Sequence, residues 1–129
     1  MIELIKNANI AIIGGGKFCR TFLQFIYDGE FHFEKPTVIG VADRDKQAEG
    51  LQFARENNIF TTDSYQNLFS LEGLQVLIEL TNDNVISDII EATKPPDVTL
   101  IDHVAVRSLW DSLQRSSVQF VCRPSNKLN

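Results

Sequence analysis

Cysteine is scarce. The chain has only two, Cys19 and Cys122, too few for a disulfide framework, so a reducing cytoplasm is the expected setting. Histidine is equally rare, and two histidines with two scattered cysteines exclude a structural zinc site. Basic residues are outnumbered, 12 Lys and Arg against 17 Asp and Glu, for a formal net charge of −5. With no basic excess to neutralise phosphates, a nucleic-acid partner is excluded. Long apolar runs are missing too. None approaches the ~20 residues that span a bilayer, so no membrane partner is expected. The first apolar stretch has no basic lead and no small-residue cleavage site, so it does not read as a secretory signal. No repeat, low-complexity tract or domain boundary interrupts the 129 residues, and residues 1–129 are expected to form one domain.

What is present is an alternation of short β-branched runs and amphipathic stretches, the pattern of a parallel sheet covered by helices. Strands are predicted at Ile10–Ile13, Thr37–Ala42, Ile59–Thr61, Val76–Leu80 and Val98–Ile101, and Val118–Val121 reads as a sixth strand or the start of a connection. A short helix is predicted near Ile2–Ile5. Phe18, Phe22, Phe25 and Ile26 mark one face of a helix ending near Gly29. Asp45 is the expected cap of a polar helix reaching about Asn57, with Leu51 and Ala54 inward. Tyr65–Phe69 reads as a short helix. Thr81-Asn82-Asp83 offers cap residues for a helix with Val85, Ile86, Ile89 and Ile90 on one face, broken at Pro95-Pro96. A last helix carries Val106, Leu109, Trp110 and Leu113. The fold class is α/β: a doubly wound, mostly parallel sheet of five or six strands, ordered 3-2-1-4-5, with helices on both faces.

The strongest motif is Gly14-x-Gly16-x-x-Cys19, placed between a predicted strand and a predicted helix, where a dinucleotide fingerprint belongs. The first glycine permits a tight turn, and the second lets the backbone approach a pyrophosphate. Amides at the helix start then meet the phosphates with the helix dipole behind them. The third position usually holds Gly or Ala for close packing; Cys19 is slightly larger. In a helix's first turn its thiol pKa could be lowered, but a packing role is the better reading.

Asp43 ends the second strand, where a carboxylate can accept hydrogen bonds from the adenosine ribose and repel the extra phosphate of NADP. NAD is therefore the expected cofactor, and Arg44 beside it keeps NADP open. Asp43 lies farther past Gly16 than the usual ~20 residues, and the Glu30–Pro36 loop accounts for the excess. Thr81 and Asn82 end the fourth strand, as ligand contacts, helix caps or both. Asp102 and His103 end the fifth; His103 is a weak candidate catalytic base. The final helix stripe, with Trp110 at its centre, is either core or a contact to a second copy or a partner domain.

IAIIGGGKFC, VIGVADRD, ENNIFTTDSYQNLF and VLIELTND, in that order, resemble the NAD-binding half of the glucose–fructose oxidoreductase / inositol dehydrogenase (Gfo/Idh/MocA) family, over about Asn9 to His103. The resemblance implies a Rossmann fold. It implies a dinucleotide held by Gly14, Gly15, Gly16, Lys17 and Phe18, by Asp43 and Arg44, and by Thr81 and Asn82. That family carries a Glu-Lys-Pro motif with a catalytic lysine after the fifth strand. Here Asp102-His103-Val104 stands in its place, and the family's substrate domain lies outside these residues, so turnover by this chain alone is not expected. GGGKFC, IELTND and KPPDVTLIDHVAVRSLWDSL resemble more closely the amino-terminal Rossmann-like domain of some bacterial sensor histidine kinases. The function implied is a non-catalytic NAD- or redox-sensing module. The rivals are the cofactor half of an NAD-dependent oxidoreductase and an interaction domain that has lost its ligand.

Overall fold

The computed structural model describes residues 1–118. The order of elements is α1 (Ile2–Ile5), β1 (Asn9–Ile13), α2 (Lys17–Asp28), β2 (Thr37–Ala42), α3 (Glu49–Glu56), β3 (Phe60–Thr62), a 3₁₀ turn (Tyr65–Leu68), β4 (Val76–Glu79), α4 (Asn84–Thr93), β5 (Thr99–Ile101) and α5 (Val106–Arg115). The strands form a five-stranded sheet in the order β3-β2-β1-β4-β5, with every pairing parallel. Each strand falls within a residue or so of its predicted place. The segment Val118–Val121, read as a sixth strand or the start of a connection, lies outside the described residues except for Val118, whose N–H donates to the Glu30 carbonyl at 2.6 Å.

Alternation along the strands divides the interior into two layers. Ile10, Ile12, Val41, Ile78 and Ile101 face Phe22, Leu23 and Ile26 of α2, Leu51 and Ala54 of α3, and Leu109 and Leu113 of α5. Ala11, Ile13 and Leu77 face Leu68 and Ile90 on the other side. β1 is buried on both faces, which explains why it reads as an unbroken apolar run.

Three helices depart from their sequence reading. α2 buries Cys19, Phe22, Leu23 and Ile26 and leaves Phe18 exposed, so Phe18 lies off the buried stripe. α4 turns Ser87 and Ile90 inward and leaves Val85 and Ile89 exposed, at 67% and 44%, so its four apolar residues do not form one buried stripe. α3 begins at Glu49 and is not capped by Asp45, whose carboxylate closes a local turn onto the N–H of Gln47. The first amides of α3 find a distant acceptor instead: Gly50 and Leu51 both donate to the carbonyl of Gly15, at 2.7 and 3.2 Å. The helix start is thereby tied to the glycine turn. No helix among the described residues is long and apolar enough to cross a membrane.

Candidate functional site

The strand order reverses at β1, which has β2 on one side and β4 on the other. In such sheets a crevice opens beyond the carboxyl ends of the strands at that switch point. One is found there, about 1040 Å³, bounded by Ile13, Gly14, Gly16, Ala42, Asp43, Arg44, Leu80 and Thr81, with Asp63–Gln66 and with Asp83 and Ile86.

Gly14 and Gly16 of the glycine turn line the crevice. Gly14 sits at φ +106, a left-handed conformation costly for any residue with a Cβ, and its N–H donates to the Ala42 carbonyl at 2.8 Å. A Cβ there would lie 3.1 Å from the Leu80 carbonyl carbon, so the end of β4 presses against the turn. Gly15 is buried, and its N–H donates to Asp43 Oδ2 at 2.7 Å. Gly16 is different: a Cβ there would meet nothing within 4 Å, and φ −79 suits any residue. Gly16 is also the N-cap of α2 but offers no side-chain acceptor. Among the described residues, no protein group accepts from the first-turn amides of Lys17 and Phe18.

Asp43, the expected ribose acceptor, braces the turn. Oδ2 takes the Gly15 amide and Oδ1 takes the Asp45 amide at 2.8 Å. A carboxylate offers about four acceptor positions, so each oxygen keeps one to spare. Arg44 lies exposed on the crevice rim.

Cys19, the third fingerprint position, is buried against α3 where Gly50 makes room for it. Burial pushes its thiol up to about 12, with the Asp43 charge adding to the effect, so the helix-dipole activation that its position allows is overridden. Phe18 is 38% exposed and packs edge-on against Trp110 at 5.3 Å; it does not line the crevice. Gly15, Lys17 and Asn82 do not line it either. Asn82 adopts φ +59, a conformation asparagine tolerates, and the cap of α4 is Asp83, which accepts from the N–H groups of Val85 and Ile86.

Neither Asp102 nor the candidate base His103, at the end of β5, borders the crevice. Asp102 Oδ1 accepts from Val104 and Ala105, shaping the turn into α5. His103 Nδ1 lies 2.7 Å from Glu79 Oε1, which also accepts the His103 amide at 2.9 Å. Glu79 itself is fully buried. Burial pushes its pKa up, yet the hydrogen bonds from Thr81 and His103 outweigh it and hold the carboxyl below its ordinary value. Sequence reasoning missed Glu79, although one acid at the end of the apolar run Val76–Ile78 was a visible signal. It also missed Asp63–Gln66, which follow β3 and share the carboxyl-end position of the other strands.

No family model matches the chain, and no curated protein does. Among solved structures it is similar to GenD2 from gentamicin A biosynthesis, in complex with NAD. The likeness has a TM-score of 0.53 at 13% identity, over 77% of this chain and 27% of that one. At that identity the likeness establishes the fold, a five-stranded parallel Rossmann-like sheet flanked by helices, and the chain spans about a quarter of its neighbour's length.

Proposed function

We propose that this chain is a dinucleotide-binding domain whose ligand is NAD, and that it works as a non-catalytic module reporting nucleotide or redox state to a partner. The observation that carries the binding reading is Gly16. Neither backbone strain nor protein packing demands a glycine there, and serine or aspartate would cap α2 better. A glycine is needed if a pyrophosphate fills the open space against the backbone. The first-turn amides of α2 would hold that group, and the spare acceptor positions of Asp43 would take the adenosine ribose hydroxyls. When bound, NAD supplies a redox-active nicotinamide. The NAD complex of a protein with this fold supports the choice of ligand class.

The non-catalytic reading is supported by the state of Asp102 and His103. Both are committed to internal hydrogen bonds and neither borders the crevice. A general base must reach its proton in a plausible substrate pose. The partner reading is supported by Phe18, two residues after Gly16, which packs on half-buried Trp110 of α5 and so joins the glycine turn to the last described helix. The free, buried Cys19 suits a reducing cytoplasm.

Calorimetry tests the ligand. NAD should bind with micromolar to millimolar affinity, more tightly than NADP, and Gly16→Val should abolish the heat. No heat and no thermal shift with any adenine dinucleotide would falsify the proposal. Equal binding of NAD and NADP would remove the assigned role of Asp43 while leaving the pyrophosphate site standing.

A further inference from the structure

Glu79 is the one charged side chain among the described residues that is fully buried. It closes β4, a central strand, and its two oxygens are divided between two loops. Oε2 accepts from the Thr81 N–H at 2.8 Å and from the Thr81 hydroxyl at 2.6 Å. Oε1 accepts from the His103 N–H and from the His103 ring. Four donors fill a carboxylate's acceptor capacity. An ionised carboxylate can only accept, so with Glu79 ionised it is His103 Nδ1 that carries the hydrogen between them. The hydroxyl of Thr81 in turn accepts from the Asp83 N–H at 3.2 Å. Thr81 and Asp83 line the crevice; His103 does not. The Leu80–Thr81 backbone also lies against Gly14, so Thr81 bounds the crevice directly beside the glycine turn.

We propose that Glu79 is a positioning residue of the dinucleotide site, holding the Thr81 wall in place and joining it to His103, so that occupancy of the crevice is felt at the imidazole. The inference rests on the dinucleotide reading. A carboxylate that served only to satisfy the strand ends would stabilise the fold without linking ligand to ring. In Glu79→Gln one of the two acceptor oxygens becomes an NH2 group, which faces the backbone N–H of either Thr81 or His103, so the loop on that side loses its acceptor and must detach.

The test combines NAD calorimetry with nitrogen NMR of the His103 ring, on the same chain. Wild-type protein should bind NAD, and its His103 ring resonances should move as NAD is added. Glu79→Gln, folded by circular dichroism, should bind about tenfold more weakly, as expected for a lost charge-assisted hydrogen bond, and its ring resonances should no longer follow NAD. Should Glu79→Gln not fold, Thr81→Val and Thr81→Ser decide. The valine variant should lose affinity and the serine variant should keep it. Unchanged affinity in Glu79→Gln, a ring response that survives in it, or equal binding by the two Thr81 variants overturns the inference alone. Absence of NAD binding by the wild-type chain overturns the dinucleotide reading, and this inference with it.

Discussion

A methyl group added at Gly50 would lie 2.7 Å from Cys19 Cβ and Sγ and 2.8 Å from the Gly15 carbonyl oxygen; one added at Gly16 would meet nothing within 4 Å. The first glycine belongs to the seam where α2 packs on α3, the second to the crevice mouth. In the seam, the chain itself supplies the reason for glycine. Cys19 is larger than the usual residue at its position, and α3 compensates by carrying no side chain opposite it. At the crevice mouth the chain supplies no such reason. The contrast separates a residue that the fold requires from one that the proposed dinucleotide would require, and each side of it can be tested.

The largest effect on stability is expected at Gly50→Ala. The added carbon meets a backbone oxygen as well as a side chain, so relief needs the two helices to separate. Overpacking of this kind costs about 1–3 kcal/mol, against a gain in helix propensity of up to about 1 kcal/mol. A net loss should appear as a lower urea midpoint with an unchanged slope. An unchanged midpoint would mean that the seam relaxes freely, and the comparison with Gly16 would lose its first half.

An acid titration comes next and concerns the crevice wall. The folded-state pKa of Glu79 is depressed below its ordinary value, so its contribution to stability is present above the unfolded carboxylate pKa and is lost as pH falls through the folded one. Thermal midpoints measured from neutral pH down through the carboxylate range should fall more steeply for the wild type than for Glu79→Gln. Parallel curves would show that the carboxylate is not held ionised by Thr81 and His103.

How far the sequence carried the reading depends on the range of the interaction involved. The strands, the glycine turn and α2 were legible because each rests on local pattern: β-branched runs, a glycine cluster, a helical period in Phe22, Phe25 and Ile26. The sheet order then followed from the doubly wound topology that alternating strands and helices imply. The start of α3 was not, because its acceptor is the Gly15 carbonyl, far away in the chain, and Asp45 nearby offered a plausible but wrong cap. Asp43 was found by position, yet its bonds to Gly15 and Asp45 were not foreseeable from spacing. Val85 and Ile89 looked interior because a helical repeat records which residues share a face, not how wide a face the neighbours cover.

A smaller effect is expected at Cys19, on the closed side of the comparison. Its thiol pKa is raised from 9.0 to about 12 by burial and by the charge of Asp43. The neutral thiol therefore favours the folded state, a contribution fully present below pH 9.0 and lost as pH rises toward 12. In native protein at mildly alkaline pH, Cys19 should resist iodoacetamide, and in urea it should react, with peptide mass spectrometry as the readout. Rapid labelling of the native protein would show that the seam opens and that Gly50 is less constrained than its distances imply.

The smallest effect on stability is expected at Gly16→Ala, and it bears most directly on function. Alanine is a poorer N-cap than glycine by roughly 0.5–1 kcal/mol. Against this, replacing glycine at an unstrained position narrows the unfolded ensemble and stabilises by about 0.4–1 kcal/mol. The backbone angles there suit alanine, and its methyl group finds open space. The two contributions oppose each other, so the melting temperature should stay within a few degrees of wild type. The same methyl group occupies the volume in which a pyrophosphate would contact the backbone. NAD binding should therefore fall sharply in a protein whose fold is unchanged. If the variant melts well below wild type, the fold has its own need for Gly16 and the contrast with Gly50 collapses. If it melts normally and binds NAD as before, the open space at Gly16 is not where the ligand lies.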